Sequence, residues 1–303
     1  MASSSSATGA SRFHGAFTAL VTPFKDGRVA YGDLAKLIDF QIGQGIDGLV
    51  SVGTTGESPT LDLAEHLEVI AKTIELTRGR VPVLAGTGSN STSEAIALTQ
   101  HADKAGADAF LIVAPYYNKP SPEGIFQHFS ALAQSTNKPI MLYSIPGRCG
   151  VEIDVETVVR LRERHSNIVG IKEAGGKCAK VAQLVRTLDS DFVVTSGDDG
   201  LTLPFISLGA RGVISVASNW LPKKVSQLVM LARSGDGAGA IRVNNQLADV
   251  FQKIFVEPNP VPIKHILARV GLISSPEVRL PLVALSEKNR AALDALADSF
   301  PKE

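Results

Sequence analysis

Lys172 closes an apolar run, Ile168-Val169-Gly170-Ile171, where a charged side chain is out of place. Lysine is almost never fully buried without a partner. Burial disfavours its ammonium form and makes a neutral, nucleophilic amine available. Side chains alternate along a strand, so Lys172 and Glu173 face opposite ways and do not readily neutralise each other. The alternative is a strand-end lysine whose stem lies on apolar surface while its ammonium reaches water. Tyr143, in Tyr-Ser-Ile-Pro-Gly-Arg, offers a hydroxyl able to shuttle protons while an imine forms and breaks down. Taken alone it reads equally as a core tyrosine. Arg148 ends that segment on a loop, and its guanidinium fork suits a carboxylate or plain solvent. Gly53-Thr54-Thr55-Gly56-Glu57 gathers two hydroxyls and several backbone N–H groups in a tight turn. Such a turn holds an anion or caps the helix that follows.

These groups need a scaffold that brings them to one place, and the chain repeats a pattern that supplies it. Short β-rich apolar runs alternate with stretches of helical periodicity. Strands are expected at Phe17 to Val21, Gly48 to Val52, Val81 to Ala85 and Ala109 to Ala114. Four more are expected at Pro139 to Ile145, Ile168 to Lys172, Phe192 to Ser196 and Gly212 to Val216. Between them, Leu34, Leu37, Ile38 and Ile42 form a helical stripe with Gly45 at the stop position. Strands joined through helices pair in parallel, and strands apolar on both faces fit a sheet covered by helices. Eight such units close into a barrel or spread as an open sheet. The Gly-x-Gly-x-x-Gly loop of dinucleotide-binding sheets is absent, and Gly86 and Gly88 match it poorly. The pattern predicts a (β/α)8 TIM barrel over 13–221, a C-terminal helical region over 222–303 and a disordered tail over 1–12. Active groups of such barrels gather at the C-terminal strand ends. In order, those ends carry Thr54 and Thr55, Tyr116 and Tyr117, Tyr143, Lys172, Asp198 and Asp199, and Ser218 and Asn219.

Bulk properties remove several function classes. Thirty basic residues balance thirty acidic ones, which gives no electrostatic reason to expect nucleic acid or an anionic membrane as partner. Cys149 and Cys178 are the only cysteines, too few for a disulfide scaffold and without zinc-site spacing. A reducing, cytoplasmic setting fits them, with an organelle reached through a transit peptide as the alternative. No apolar run reaches the ~20 residues of a membrane span. Neither a metal nor an organic cofactor is expected.

Five segments occur in register with the expected strand ends: GTTGE (Gly53 to Glu57), APYYNKP (Ala114 to Pro120), YxIPxRxG (Tyr143 to Gly150), GIKEA (Gly170 to Ala174) and SGDD (Ser196 to Asp199). Together they resemble the dihydrodipicolinate synthase family of pyruvate-dependent Schiff-base lyases, to which N-acetylneuraminate lyase also belongs. The resemblance runs from about Phe13 to the C-terminus. It implies a (β/α)8 barrel with added C-terminal helices, assembled as a homotetramer of tight dimers. It implies that Lys172 forms the Schiff base, Tyr143 relays protons, and Thr55 links Tyr143 to Tyr117, a tyrosine lent by the neighbouring subunit. Thr54 would hold the pyruvate carboxylate, Arg148 the carboxylate of L-aspartate 4-semialdehyde, and Ile214 would line the pocket. The implied reaction is condensation of these two substrates to 4-hydroxy-tetrahydrodipicolinate, on the route to diaminopimelate and lysine. Ser58, His66, Asn90, Glu94 and Tyr116 match the family's L-lysine inhibitory site, whereas Leu63 and Pro59 depart from it. Ser144 and Cys149 also depart from common family residues. Two rival readings are a sister aldolase, acting on N-acetylneuraminate or a 2-keto-3-deoxy sugar acid, and a non-catalytic barrel that only binds. The paired threonines and Arg148 argue against the first, and an intact Lys172, Tyr143 and Thr55 against the second.

Overall fold

The apolar runs become strands because side chains on both faces are hydrophobic, which suits a sheet buried between two layers. The computed structural model describes residues 12–300, so the expected tail, Arg12 apart, lies outside the described residues. Eight parallel strands close a barrel: β1 (Gly15–Ala19), β2 (Gly48–Ser51), β3 (Val83–Gly86), β4 (Ala109–Val113), β5 (Ile140–Ser144), β6 (Ile168–Glu173), β7 (Val193–Ser196) and β8 (Gly212–Ser215). All eight expected strands are present, with ends displaced by up to a few residues. Two of them, β3 and β5, begin just after Pro82 and Pro139, which lack an N–H for the ladder. A small hairpin, Phe24–Lys25 with Arg28–Val29, follows β1 and was not expected.

The surrounding helices are α1 (Tyr31–Gly43), α2 (Leu63–Thr77), α3 (Thr92–Ala105), α4 (Pro122–Gln134), the single turn α5 (Pro146–Cys149), α6 (Val155–Arg164), α7 (Cys178–Thr187), α8 (Thr202–Ser207) and α9 (Pro222–Ser234). Several start on side chains that accept an otherwise orphaned N–H: Asp62 within a capping box with Glu65, Ser91, Ser121 and Asp154. Helix α9 packs on β1 and β8 and fills the eighth helical position of the barrel. The expected boundary at residue 222 therefore assigns that helix to the C-terminal region. Beyond it lie α10 (Gly237–Lys253), α11 (Val261–Arg269) and α12 (Glu287–Ser299).

Strand residues alternate between two separate apolar clusters. Phe17, Val50, Leu84, Leu111, Met141, Val193 and Ile214 fill the barrel interior. Their neighbours Ala16, Leu49, Ala85, Phe110, Leu142, Val194 and Val213 join the larger cluster beneath the helices. Strand β6 breaks this alternation. Ile168 and Ile171 both lie in the outer cluster although three positions apart. The register explains it: Ile140 pairs with Ile168 but Met141 pairs with Gly170, leaving Val169 as an additional residue. This bulge shifts the phase of the strand, so that Lys172 turns inward instead of out under the helices. Gly170 is required there, since a Cβ would lie 2.5 Å from the Val193 carbonyl oxygen.

The seam between first and last strands is clasped by Asn219, whose Oδ1 accepts from Val21 N (3.1 Å) and whose Nδ2 donates to the Ala19 carbonyl (2.7 Å). Expected at the reactive rim, Asn219 is instead fully buried as a strand tie.

Candidate active site

The inward phase of β6 puts Lys172 in the mouth of the barrel, 6 % exposed, with Nζ 4.2 Å from the centre of the Tyr143 ring. Burial pushes the amine down to about 8; the Asp199 charge opposes that shift and Arg148 adds to it. No carboxylate is paired to Nζ among the described ion pairs. Glu173 faces the other way, as alternation requires, and meets Lys180 on α7 at 2.7 Å. Strands β5 and β6 are adjacent with Tyr143 opposite Lys172, so the two side chains share one level of the interior. Burial pushes the Tyr143 phenol up to about 12, moderated by a hydrogen bond with the Thr54 side chain and by the Arg148 charge. An amine whose neutral form is brought within reach of neutral pH, beside a neutral phenol, is an arrangement suited to imine formation, where the hydroxyl delivers and collects protons.

One sequence expectation is corrected here. The hydroxyl that reaches Tyr143 is that of Thr54, not Thr55. Thr55 is buried and accepts a hydrogen bond from Asn259 Nδ2 at 2.9 Å. The reason is the tight turn after β2: Val52 and Glu57 both take positive φ, and successive residues point in different directions. Gly86 makes room for this turn, because a Cβ on it would lie 2.3 Å from the Val52 carbonyl oxygen.

A cavity of about 250 Å³ opens beside these groups, lined among others by Thr54, Ser58, Tyr116, Tyr143, Arg148 and Cys149. Arg148 lies on the short helix α5, where a loop was expected, with Nη2 3.5 Å from the Asn259 carbonyl. Ile214 lies inside the barrel. Tyr117 stands apart: its φ is +72° and its side chain is 88 % exposed, while its backbone N–H donates to the Cys149 carbonyl at 3.3 Å. Among the proposed inhibitor residues, Ser58 and Tyr116 border the cavity, while His66 Nε2 lies 3.0 Å from the Gly86 carbonyl. Glu94 accepts from Ser89 Oγ at 2.5 Å, and the Asn90 carbonyl accepts from Asn118 Nδ2 at 3.0 Å. Ser144 points outward, its hydroxyl 3.3 Å from Lys180 Nζ, whereas Cys149 borders the cavity.

Sequence reasoning missed the roles of four residues. Asn259 sits in a Glu-Pro-Asn-Pro stretch that signals only a turn. Lys264 and Glu57, 0 % and 1 % exposed, form a buried ion pair of 2.5 Å between α11 and the two-threonine turn. Asp199, noted only as a rim charge, is buried and accepts from Ser215 Oγ, Val216 N (2.9 Å) and Ala217 N (3.2 Å), fixing the end of β8.

Residues 12–299 match the model of the dihydrodipicolinate synthetase family. A 4-hydroxy-tetrahydrodipicolinate synthase of Sulfurihydrogenibium sp. is 49 % identical over 281 residues, covering 93 % of this chain and 96 % of the relative. The solved synthase of Methylacidiphilum fumariolicum superposes with a TM-score of 0.92 at 51 % identity, over 94 % of this chain and 95 % of the other. The Acinetobacter baumannii enzyme, solved with pyruvate, gives a TM-score of 0.91 at 44 % identity, with coverage of 94 % and 97 %. That of Cyanidioschyzon merolae, solved with lysine bound, gives 0.90 at 40 % identity, also covering 94 % and 97 %.

Proposed function

The chain belongs to the dihydrodipicolinate synthetase family, and from that premise we propose that it condenses pyruvate with L-aspartate 4-semialdehyde to give 4-hydroxy-tetrahydrodipicolinate. The observation that carries this reading is the buried Lys172 amine, pushed down to about 8 and held over the Tyr143 ring.

The free amine of Lys172 attacks the pyruvate ketone, and water leaves to give a protonated imine. Loss of a methyl proton turns the imine into an enamine. Its carbon forms a new bond to the aldehyde carbon of the semialdehyde, whose oxygen takes up a proton. The amino group of that substrate then attacks the imine carbon, closes the ring and releases Lys172. Tyr143 moves protons in these steps, with the Thr54 side chain as its polar neighbour. Thr54 was expected to hold the pyruvate carboxylate; because its side chain lies with Tyr143, that role passes to Thr55 and the turn amides, while Arg148 holds the carboxylate of the semialdehyde and Ile214 fills the pocket wall. Tyr117 extends the relay from a neighbouring subunit of a homotetramer. L-lysine binds at Ser58, His66, Asn90, Glu94 and Tyr116; the lysine-bound relative supports this, and calorimetry that registers no heat on lysine addition would rule it out. Among the described residues no helix is long and apolar enough to cross a membrane. A cytoplasmic setting is proposed from the two free cysteines, Cys149 and Cys178, which suit a reducing compartment.

The test is incubation with pyruvate and borohydride, followed by mapping of the modified residue by mass spectrometry. A reduced adduct on Lys172, absent from Lys172→Ala, is the expected result. A folded chain that yields no adduct in excess pyruvate overturns the reading.

A further inference from the structure

Asn259 belongs to the segment between α10 and α11, more than 200 residues from the turn it touches, and it is 7 % exposed. A buried primary amide is costly unless its hydrogen-bonding groups are used. Here Nδ2 donates to Thr55 Oγ1 at 2.9 Å, the main-chain carbonyl stands 3.5 Å from Arg148 Nη2, and Oδ1 has no protein partner among the described residues. Helix α11, which follows at once, and the stretch beyond it are anchored to the far end of the two-threonine turn. Lys264 Nζ donates to Glu57 Oε1 (2.5 Å), and the Arg279 N–H donates to Glu57 Oε2 (3.0 Å). Asn259 thus sits next to elements that grip the turn, and it contacts both Thr55 and Arg148.

The direction of the Asn259–Thr55 bond has a chemical consequence. An amide N–H only donates, so the Thr55 oxygen is the acceptor and its own proton remains free to be given elsewhere. We propose that Asn259 is a positioning residue for the 2-oxo acid: its amide turns the Thr55 hydroxyl into a fixed donor toward the substrate carboxylate, and its carbonyl holds the Arg148 guanidinium. This rests on the reading of Lys172 as the pyruvate-binding amine.

Borohydride trapping at a series of pyruvate concentrations tests it with the full chain. Asn259→Ala raises the half-saturating pyruvate concentration about tenfold, the weight of one hydrogen bond to a charged group. The extent of trapping at saturation and its pH dependence stay unchanged. Thr55→Val raises half-saturation similarly, and the double variant no further, because the two side chains act as one unit. Should truncation impair folding, Asn259→Asp is nearly isosteric. Its ionised carboxylate has no proton to donate and takes that of Thr55, so it weakens pyruvate saturation at least as much as Asn259→Ala. Either Asn259 variant saturating at the pyruvate concentration of the unaltered chain overturns the inference, as do additive effects in the double variant. Absence of any adduct on the unaltered chain overturns the functional reading as well, so the two failures are told apart.

Discussion

Burial acts on Lys172 and Tyr143 in opposite senses, lowering the amine to about 8 and raising the phenol to about 12, so each is drawn toward its neutral form. Because the neutral amine is the nucleophile, the initial rate of pyruvate trapping rises about tenfold per pH unit below the Lys172 pKa and levels off above it. The Asp199 charge raises the pKa of Lys172 against the desolvation that lowers it. Asp199→Asn removes that opposition and moves the half-maximal pH of trapping below about 8. A half-maximal pH that stays fixed, or rises, would refute this coupling. At this scale the sequence was informative about residue types and less so about their partners. Lys172 and Tyr143 stood out because a reactive group interrupts an apolar strand. Thr54 and Thr55 are chemically identical neighbours, and which of them meets Tyr143 depends on the positive φ of Val52 and the bend it produces. No pattern of residue types records that angle.

The elements themselves were legible because each strand carries its own hydrophobic signature, and Pro82 and Pro139 mark where two ladders begin. The bulge in β6 was not. Strict alternation from Ile168 would turn Lys172 out under the helices, and only the additional residue at Val169 reverses it. A bulge depends on pairing with a strand elsewhere in the chain, so Ile-Val-Gly-Ile-Lys alone does not reveal it. Gly170 is the residue that permits it. Gly170→Ala forces a Cβ to within 2.5 Å of the Val193 carbonyl. We expect a stability loss of about 1–3 kcal/mol, as for overpacked sites, measured by urea denaturation. The rate of adduct formation on Lys172 falls with it. A variant of unchanged stability and trapping rate would show that β6 accommodates the side chain without moving. The single turn α5 and the hairpin after β1 were missed because neither is long enough to carry a period.

For the whole molecule, the residue that sets the largest question is Tyr117, 88 % exposed in a left-handed backbone conformation and clear of the cavity beside Tyr143. If a second subunit receives it, the damage of two defective chains is complementary. Tyr117→Phe chains keep their own Lys172, and Lys172→Ala chains keep a Tyr117 to lend. Mixed after dissociation and reassembly, the two recover turnover well above the sum of the separate preparations. No gain over that sum, with mixed assemblies present by mass, would place the Tyr117 role within its own chain or remove it. The closure of the barrel also has a consequence in time. Val21 waits for Asn219, 198 positions later, and Thr55 waits for Asn259. At a synthesis rate of about 5–20 residues per second, a nascent chain holds its first strand without that clasp for roughly 10–40 s. During that interval the edge of β1 is open to wrong partners on the ribosome. Thr54, Thr55, Tyr143 and Lys172 all precede Asn259, so the site groups are made before the segment that holds Thr55 has emerged.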